Sequence, residues 1–285
     1  MTKRVLLCFA LLLLSSVATM AQQASMQPLT FWYEYAVNPG KEDQFLELVK
    51  TVGAPVRDKL MADGVVLAWG VQTPLLRVPG NATHVIWYAV ADWSGVEKVQ
   101  SAMQAQIAKL SEEAAKGSVA KKGASASQSP TARMMEIGDV SKTHDYLTRD
   151  LVFSVSQTPP PAGLLPYTRY NFTKVKPGKG PEYRKAWEKY NKPILDKLLA
   201  DGVIGAYGLA VEEVRTSGEF THFTWYDVAN LGQLDKIRTA FLADRDHRSQ
   251  EEQNAINELF AALTDPDAAR SEVDHAIIFK VAPMK

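Results

Sequence analysis

The pattern Thr-His-x-x-Trp-Tyr occurs twice in the chain and contains the side chains best suited to acid–base chemistry. It occupies residues 83–88 and 221–226. In an extended strand every second side chain shares a face, so the histidine and the tyrosine of each copy lie on one face. Because imidazole titrates near neutral pH, His84 and His222 are candidates for a general base toward a phenol-like substrate.

The strand before each copy of the pattern adds an aromatic ring and an arginine. A hairpin loop at residues 79–82 would place Arg77 opposite His84, and the same spacing would place Arg215 opposite His222. The other face of that strand carries alanine and glycine, which suits the close approach of a helix. We therefore expect the aromatic face to point away from the helices, toward a second sheet. The candidate ligand-binding residues are Trp69, Arg77, His84, Tyr88, Tyr207, Arg215, His222 and Tyr226.

Two interpretations of these residues stay open. They could line an aromatic cavity with a few polar groups, which suits a small planar ligand. Alternatively they could form the packed core between two sheets, with the histidines and tyrosines hydrogen-bonded to each other. We favour the packing interpretation, because buried polar side chains usually serve only to satisfy one another.

Several signatures of catalytic and metal sites are missing from the sequence. It contains no GxSxG, HExxH, GxxxxGK[S/T] or GxGxxG motif. Its single cysteine is Cys8, and its five histidines are scattered, with no two at the spacing of metal ligands on a helix. We predict neither a metal site nor a cofactor.

Composition and the first residues indicate an exported globular protein. The 285 residues include 32 Lys and Arg against 32 Asp and Glu, and 46% are hydrophobic, so we expect packed cores and no nucleic-acid partner. Residues 1–21 combine Lys3 and Arg4, an apolar run from Val5 to Leu14, and small residues before Ala21. This pattern is typical of a cleaved secretory signal peptide. We predict a periplasmic or extracellular protein with no membrane segment after cleavage.

The mature chain repeats itself. At an offset of 138 positions, residues 37–91 match residues 175–229 at 22 of 55 positions without a gap. We interpret this as a tandem duplication of one unit, at 29–156 and 166–285. A proline-rich linker at 157–165 separates the two copies.

Each copy has the predicted order β-α-β-β-α-β, with a proline inside the first helix that should kink or divide it. This is the ferredoxin-like arrangement, an antiparallel sheet with both helices on one face. Packing the two uncovered sheet faces together would give an α+β barrel within one chain. In element order, duplication and size the chain resembles the dimeric α+β barrel superfamily, which includes antibiotic-biosynthesis monooxygenase-like, stress-responsive barrel and NIPSNAP-like domains. The resemblance implies a cavity between the sheets, and no motif carries over a catalytic residue.

Two classes of function fit these observations. The first is a non-catalytic exported protein whose barrel binds a small apolar or aromatic compound or simply packs shut. The alternative is a cofactor-independent monooxygenase-like enzyme that uses His84 or His222 as general base. In either case we expect the repeats to pair within the chain, which would make the protein a monomer or a weak homo-oligomer.

Overall fold

The computed structural model describes residues 27–78, 81–120, 128–156, 166–216 and 219–283, without the side chains of residues 117–120. The predicted signal peptide and linker lie outside these residues and stay predictions. The strands are β1 (Leu29–Tyr35), β2 (Val66–Pro74), β3 (His84–Val90), β4 (His144–Val155), β5 (Tyr167–Val175), β6 (Ala206–Val214), β7 (His222–Val228) and β8 (Thr264–Val281). The helices are α1 (Glu42–Leu48), α2 (Ala54–Ala62), α3 (Trp93–Ala120), α4 (Pro130–Ile137), α5 (Gly180–Tyr190), α6 (Lys192–Ala200), α7 (Gly232–Asp246) and α8 (Gln250–Leu263).

All eight strands close into one antiparallel barrel in the order β1-β3-β2-β8-β5-β7-β6-β4. The first half contributes β1 to β4 and the second half β5 to β8, and each half has the same internal order of strands. Helices cover the outside of both halves. This confirms the predicted fold class, a mixed α+β protein with two sheets joined into a barrel within one chain.

The last strand of each half joins the two halves. β4 pairs with β1 through residues 144–149 and with β6 through residues 147–155. In the same way, β8 pairs with β5 through residues 264–275 and with β2 through residues 274–281. Both strands are longer than the apolar segments that mark them in the sequence, because their first parts carry polar side chains.

The first helical segment of each half is interrupted, as its proline predicts. In the first half a π-helical turn, Val49–Gly53, separates α1 from α2, and Pro55 lies in the first turn of α2. In the second half the break falls at Asn191, just before Pro193 in α6. Gly64 and Gly202 follow these helices with φ of 76° and 68°, the left-handed conformation that glycine adopts without strain.

The predicted orientation of the aromatic face is wrong, because the side predicted to face a second sheet faces the helices. Trp69 and Tyr88 belong to the core that packs against Phe45 and Leu48 of α1. The small face of β2 instead lines the barrel interior, where a Cβ on Gly70 would lie 2.9 Å from the Trp87 ring. The alanines and glycines therefore make room for tryptophan rings inside the barrel and not for a helix.

No helix among the described residues has the length and apolar character needed to cross a membrane.

The aromatic core inside the barrel depends on both halves. Trp32, Val85 and Tyr146 of the first half pack there against Tyr170, Phe172 and Phe223 of the second. Residues 29–156 alone would expose this face and leave β2 and β4 each without one neighbour. We expect this fragment to aggregate or to form a homodimer, measured by size-exclusion chromatography with light scattering beside residues 29–285. A stable monomeric fragment would contradict the shared core.

Candidate functional site

The two predicted histidines are buried on the helix side of the sheet. His84 is 3% exposed, its Nδ1 lies 3.0 Å from Thr83 Oγ1, and its ring packs on Phe45. His222 is 4% exposed, with Nδ1 2.9 Å from Thr221 Oγ1. Burial lowers the pKa of His84, and it lowers the pKa of His222 to about 4. At neutral pH both imidazoles are therefore uncharged.

The predicted pairing of arginines with these histidines is wrong. β2 ends at Pro74 and β6 at Val214, so Arg77 and Arg215 lie beyond the strands and are exposed. The β3 ladder runs only as far as Gln72 opposite Val85. The connection between β2 and β3 is thus longer than the assumed 79–82 loop, so the arginine does not pair with the histidine across the strands. Its charge still contributes to lowering the pKa of the histidine.

Tyr88 and Trp69 lie together in a polar cluster of the first half. Gln100 of α3 donates from Nε2 to the hydroxyl oxygens of Tyr33, at 2.7 Å, and of Tyr88, at 3.2 Å. Trp69 Nε1 donates to Asp58 Oδ1 at 2.9 Å. Trp69 and Tyr88 are fully buried. The structure thus brings two of the predicted residues together and adds side chains from three further elements.

The unexpected member of this cluster is Arg57 in α2. Its side chain is 3% exposed, its guanidinium lies 5.7 Å from the centroid of the Trp69 ring, and Nε is buried without a hydrogen-bond partner. None of the ion pairs found among the described residues includes it. The adjacent carboxylate, Asp58, instead accepts hydrogen bonds from Trp69 Nε1 and, at 2.7 Å, from Lys280 Nζ. Arg57 is therefore a buried cation without a contacting anion.

The interruption of the helix explains why Arg57 points inward. A uniform helical period through this segment predicts Val56 on the buried face. The π-helical turn adds a residue to one turn and so rotates the following helix by about one position. Gly53 permits the arrangement, because a Cβ there would lie 2.3 Å from Arg57 Nη1. We define the Arg57 cluster as Tyr33, Arg57, Trp69, Tyr88 and Gln100.

Burial dominates the electrostatics of the Arg57 cluster. Burial lowers the pKa of Arg57, while nearby tyrosine hydroxyls and Asp58 act in the opposite direction. Burial raises the pKa of Tyr33 and of Tyr88, so both phenols are neutral donors at neutral pH. Tyr33 and Gln100 stay partly exposed, which leaves the edge of the cluster in contact with solvent.

In the described part of the second half no such cluster is found. At the 138-residue offset Leu195 replaces Arg57 and is fully buried, while Tyr207 replaces Trp69 and donates its hydroxyl to Asp196. Trp187 Nε1 donates to Thr224 Oγ1 at 2.7 Å. Tyr226 and His222 therefore belong to an ordinary packed core. They are buried, as the packing interpretation expects, but against helices and not between two sheets, and the ring of His222 contacts Thr221 and not Tyr226.

Sequence reasoning missed Arg57 and Gln100. The sequence did differ here between the two copies, since the first has Arg57 where the second has Leu195. That difference points to a buried position only once the rotation caused by the π-helical turn is taken into account. Among the described residues, no three His, Cys, Asp or Glu side chains come together in a group that could hold a metal ion.

Comparisons with known proteins find similarity in fold but no match in sequence. No protein-family model and no curated protein matches the sequence. Among solved structures, a protein of Fusobacterium nucleatum named "Putative monooxygenase" aligns over 90% of this chain and 95% of its own, with a TM-score of 0.57 and 11% identity. A protein of Lactobacillus acidophilus with the same description aligns over 90% and 97%, with a TM-score of 0.53 and 8% identity.

A third structure is described as an anthrone oxidase-like protein. It aligns over 92% of this chain and 95% of its own, with a TM-score of 0.51 and 13% identity. At these identities the likeness shows a shared fold alone. Together with the observed topology, it shows that the chain has the closed eight-stranded fold of dimeric α+β barrel proteins.

Proposed function

We propose that the first half binds a small aromatic compound with an anionic oxygen, a carboxylate or a phenolate, between its helices and its sheet. Arg57 would be the counter-ion, with Tyr33, Tyr88 and Gln100 as further polar partners. This places ligand binding outside the barrel, and not between the sheets as the sequence suggested. One observation supports the proposal above all, the buried Arg57 guanidinium that contacts no anion.

A buried charge without a partner is costly, and proteins retain one where it has a task. Guanidinium groups bind carboxylates through two parallel hydrogen bonds, and aromatic walls add dispersion contacts to a planar ligand. The ring of Trp69 and the stacked pair Phe31–Tyr33, with centroids 4.7 Å apart, would supply such walls. The partly exposed edge at Tyr33 and Gln100 would be the route of entry.

The test compares benzoate with benzyl alcohol in isothermal titration calorimetry, using wild type and Arg57→Leu. Leucine is the residue that the second half carries at this position. We expect wild type to bind benzoate and to prefer it over the neutral alcohol. Arg57→Leu should lose about tenfold to a hundredfold in benzoate affinity, which is the value of a hydrogen bond to a charged group. The free energy of unfolding should be unchanged or rise by up to about 3 kcal/mol, because an unpaired buried charge is removed.

A matched pair of variants provides the control. Tyr88→Phe removes a hydroxyl from the Arg57 cluster, and Tyr226→Phe removes the equivalent hydroxyl in the second half. Only the first should weaken benzoate binding. If wild type binds no aromatic anion and Arg57→Leu loses several kcal/mol of stability, Arg57 has a structural role and the proposal fails.

A second candidate is a cofactor-independent oxygenase in the same half. Such an enzyme must first ionise its substrate so that the carbanion or enolate can react with O₂ directly. A methylene group then becomes a carbonyl while the second oxygen atom leaves as water. Arg57 would stabilise the anion, and His84, neutral at pH 7, would be the base. Oxygen consumption with an anthrone separates the two candidates: a binding protein consumes none, and an oxygenase loses its consumption in His84→Ala.

Export, with cleavage after Ala21, stays part of the proposal. So does pairing of the two repeats within one chain as a monomer or a weak homo-oligomer. The packed second half favours the non-catalytic class for at least that part of the molecule.

A further inference from the structure

A small cavity lies inside the barrel, at the end where β1, β2 and β5 finish. Its walls are the aromatic rings of Trp32, Tyr146, Tyr170, Phe172 and Phe223. Three carboxyl groups, on Glu34, Glu272 and Asp274, face the same space. The space left between these side chains accommodates about one water molecule.

Asp274 is the deepest of the three carboxyl groups, at 1% exposure. Its Oδ2 accepts a hydrogen bond of 2.6 Å from Gln72 Nε2. Its Oδ1 is buried and accepts none from a donor group among the described residues. The neighbouring Glu272 is itself a carboxyl group that forms a side-chain hydrogen bond with Asp274, so the two carboxyl groups share a proton and no positive charge compensates them when that proton leaves.

One cation already lies at the edge of this cavity. The Arg270 guanidinium carbon is 4.3 Å from the centroid of the Phe172 ring, and the side chain is 38% exposed. The aromatic face of Phe172 thus accepts a cation from the chain itself. Among the described residues, Arg270 forms its ion pair with Glu219 and not with Asp274, and its Nη2 lies 3.8 Å from Glu219 Oε2.

From this geometry we propose that the cavity binds the protonated head of a primary amine, with the rest of the amine directed toward the open end of the barrel. Aromatic faces combined with carboxylates are the common means of binding ammonium groups. An –NH₃⁺ group has about the size of a water molecule and carries three donors. Asp274 Oδ1, the Glu272 carboxylate and the Glu34 carboxylate would accept them. This inference is independent of the Arg57 cluster, which lies outside the barrel.

Binding should release a proton. Burial and the adjacent Glu272 raise the pKa of Asp274 to about 9, so this carboxyl group is protonated at pH 7. The groups that face it are Gln72 from β2, Tyr170 from β5, Glu34 from β1 and Glu272 from β8, with Tyr146 and Arg270 close to Glu34. An alkylammonium ion keeps its charge below about pH 10. Affinity should therefore rise by about twentyfold between pH 7 and pH 8.5, because a larger fraction of Asp274 is ionised at the higher pH.

Isothermal titration calorimetry with methylammonium tests the proposal, with tetramethylammonium as the probe that is too large. Wild type should bind methylammonium at least about tenfold more tightly than tetramethylammonium. Asp274→Asn should lose about tenfold or more of the methylammonium affinity, since the amide cannot offer a negative oxygen. The matched control is Asp227→Asn, a barrel-interior carboxyl group that accepts from Thr168 Oγ1 and does not line the cavity. It should keep wild-type affinity.

Glu272→Gln provides a second variant in case Asp274→Asn does not fold, and circular dichroism establishes folding for each protein. Glu272→Gln should also weaken methylammonium binding. The proposal is overturned if wild type binds no methylammonium at pH 8.5. It is also overturned if both cavity variants bind as wild type does, or if tetramethylammonium binds equally well. Benzoate binding through Arg57 is measured on the same proteins and should be unaffected by these substitutions, so that failure of one proposal does not imply failure of the other.

Discussion

Gly208→Ala is expected to destabilise the protein by about 3–5 kcal/mol, the sum of overpacking and a lost buried hydrogen bond. A Cβ at this position would lie 2.5 Å from Trp225 Nε1 and 3.0 Å from Asp150 Oδ1. Those two atoms form a hydrogen bond of 2.9 Å inside the barrel. The tryptophan must move to admit the methyl group, and its movement leaves the buried Asp150 without its donor. Urea unfolding followed by tryptophan fluorescence measures the loss.

Gly205→Ala is the matched control for this substitution. A Cβ on Gly205 would have no heavy atom within 4 Å, and its φ is not in the left-handed region. We expect a change within about 0.5 kcal/mol, which is usual for substitutions that create no contact. Equal stability of the two variants would contradict the close packing of Trp225 on β6.

The wild-type protein is expected to lose stability between pH 5 and pH 8, because Asp150 ionises over this range. Asp150→Asn is expected to remove much of that loss. Burial raises the pKa of Asp150 from its ordinary value of 3.8 to about 7, so the folded state favours the protonated carboxyl group. The stability that this group contributes is present in full below pH 3.8 and is lost as the pH rises to 7. Two pH units between 5 and 7 correspond to about 3 kcal/mol. Asparagine keeps an acceptor for Trp225 Nε1 and does not ionise.

The measurement is urea unfolding of wild type and Asp150→Asn at pH 5 and pH 8. The variant should gain about 3 kcal/mol relative to wild type between the two pH values. Using the difference between the two proteins cancels the contribution of His222, whose lowered pKa acts in the opposite direction and costs stability as the pH falls from 6.5 toward 4. It also cancels that of Asp227, whose pKa burial raises to about 6. Parallel pH profiles for the two proteins would show that Asp150 does not titrate in this range.

The order of elements could be predicted from the sequence, because it depends on local signals. Alternating apolar residues identified β3 and β7, and glycines after an apolar helical face marked the ends of α2 and α6. The lengths of β4 and β8 could not be predicted in this way. Their polar residues become strand because both edges of each strand find partners, and those partners lie in distant parts of the chain.

The site was predicted only in part, and for a physical reason. Strand alternation correctly placed His84 and Tyr88 on one face of β3, but alternation does not tell which face is covered by helices. Small residues on β2 and β6 predicted a covering helix, whereas Gly70 accommodates the ring of Trp87 and Gly208 that of Trp225, which have to fit inside a narrow barrel. The inward position of Arg57 depended on a π-helical turn, which no spacing rule for a regular helix includes.

The sequence by itself therefore determined the two similar halves and the kinds and order of their elements. It also determined that a histidine and a tyrosine share one face of a strand in each half. These follow from local geometry and from the offset of 138 residues. Only the tertiary structure decided which face lines the barrel and that one guanidinium is buried without an anion. It also decided that acidic and aromatic side chains from both halves share one cavity. Each of these depends on which surfaces meet when the barrel closes, and closure brings together residues that are far apart in the chain.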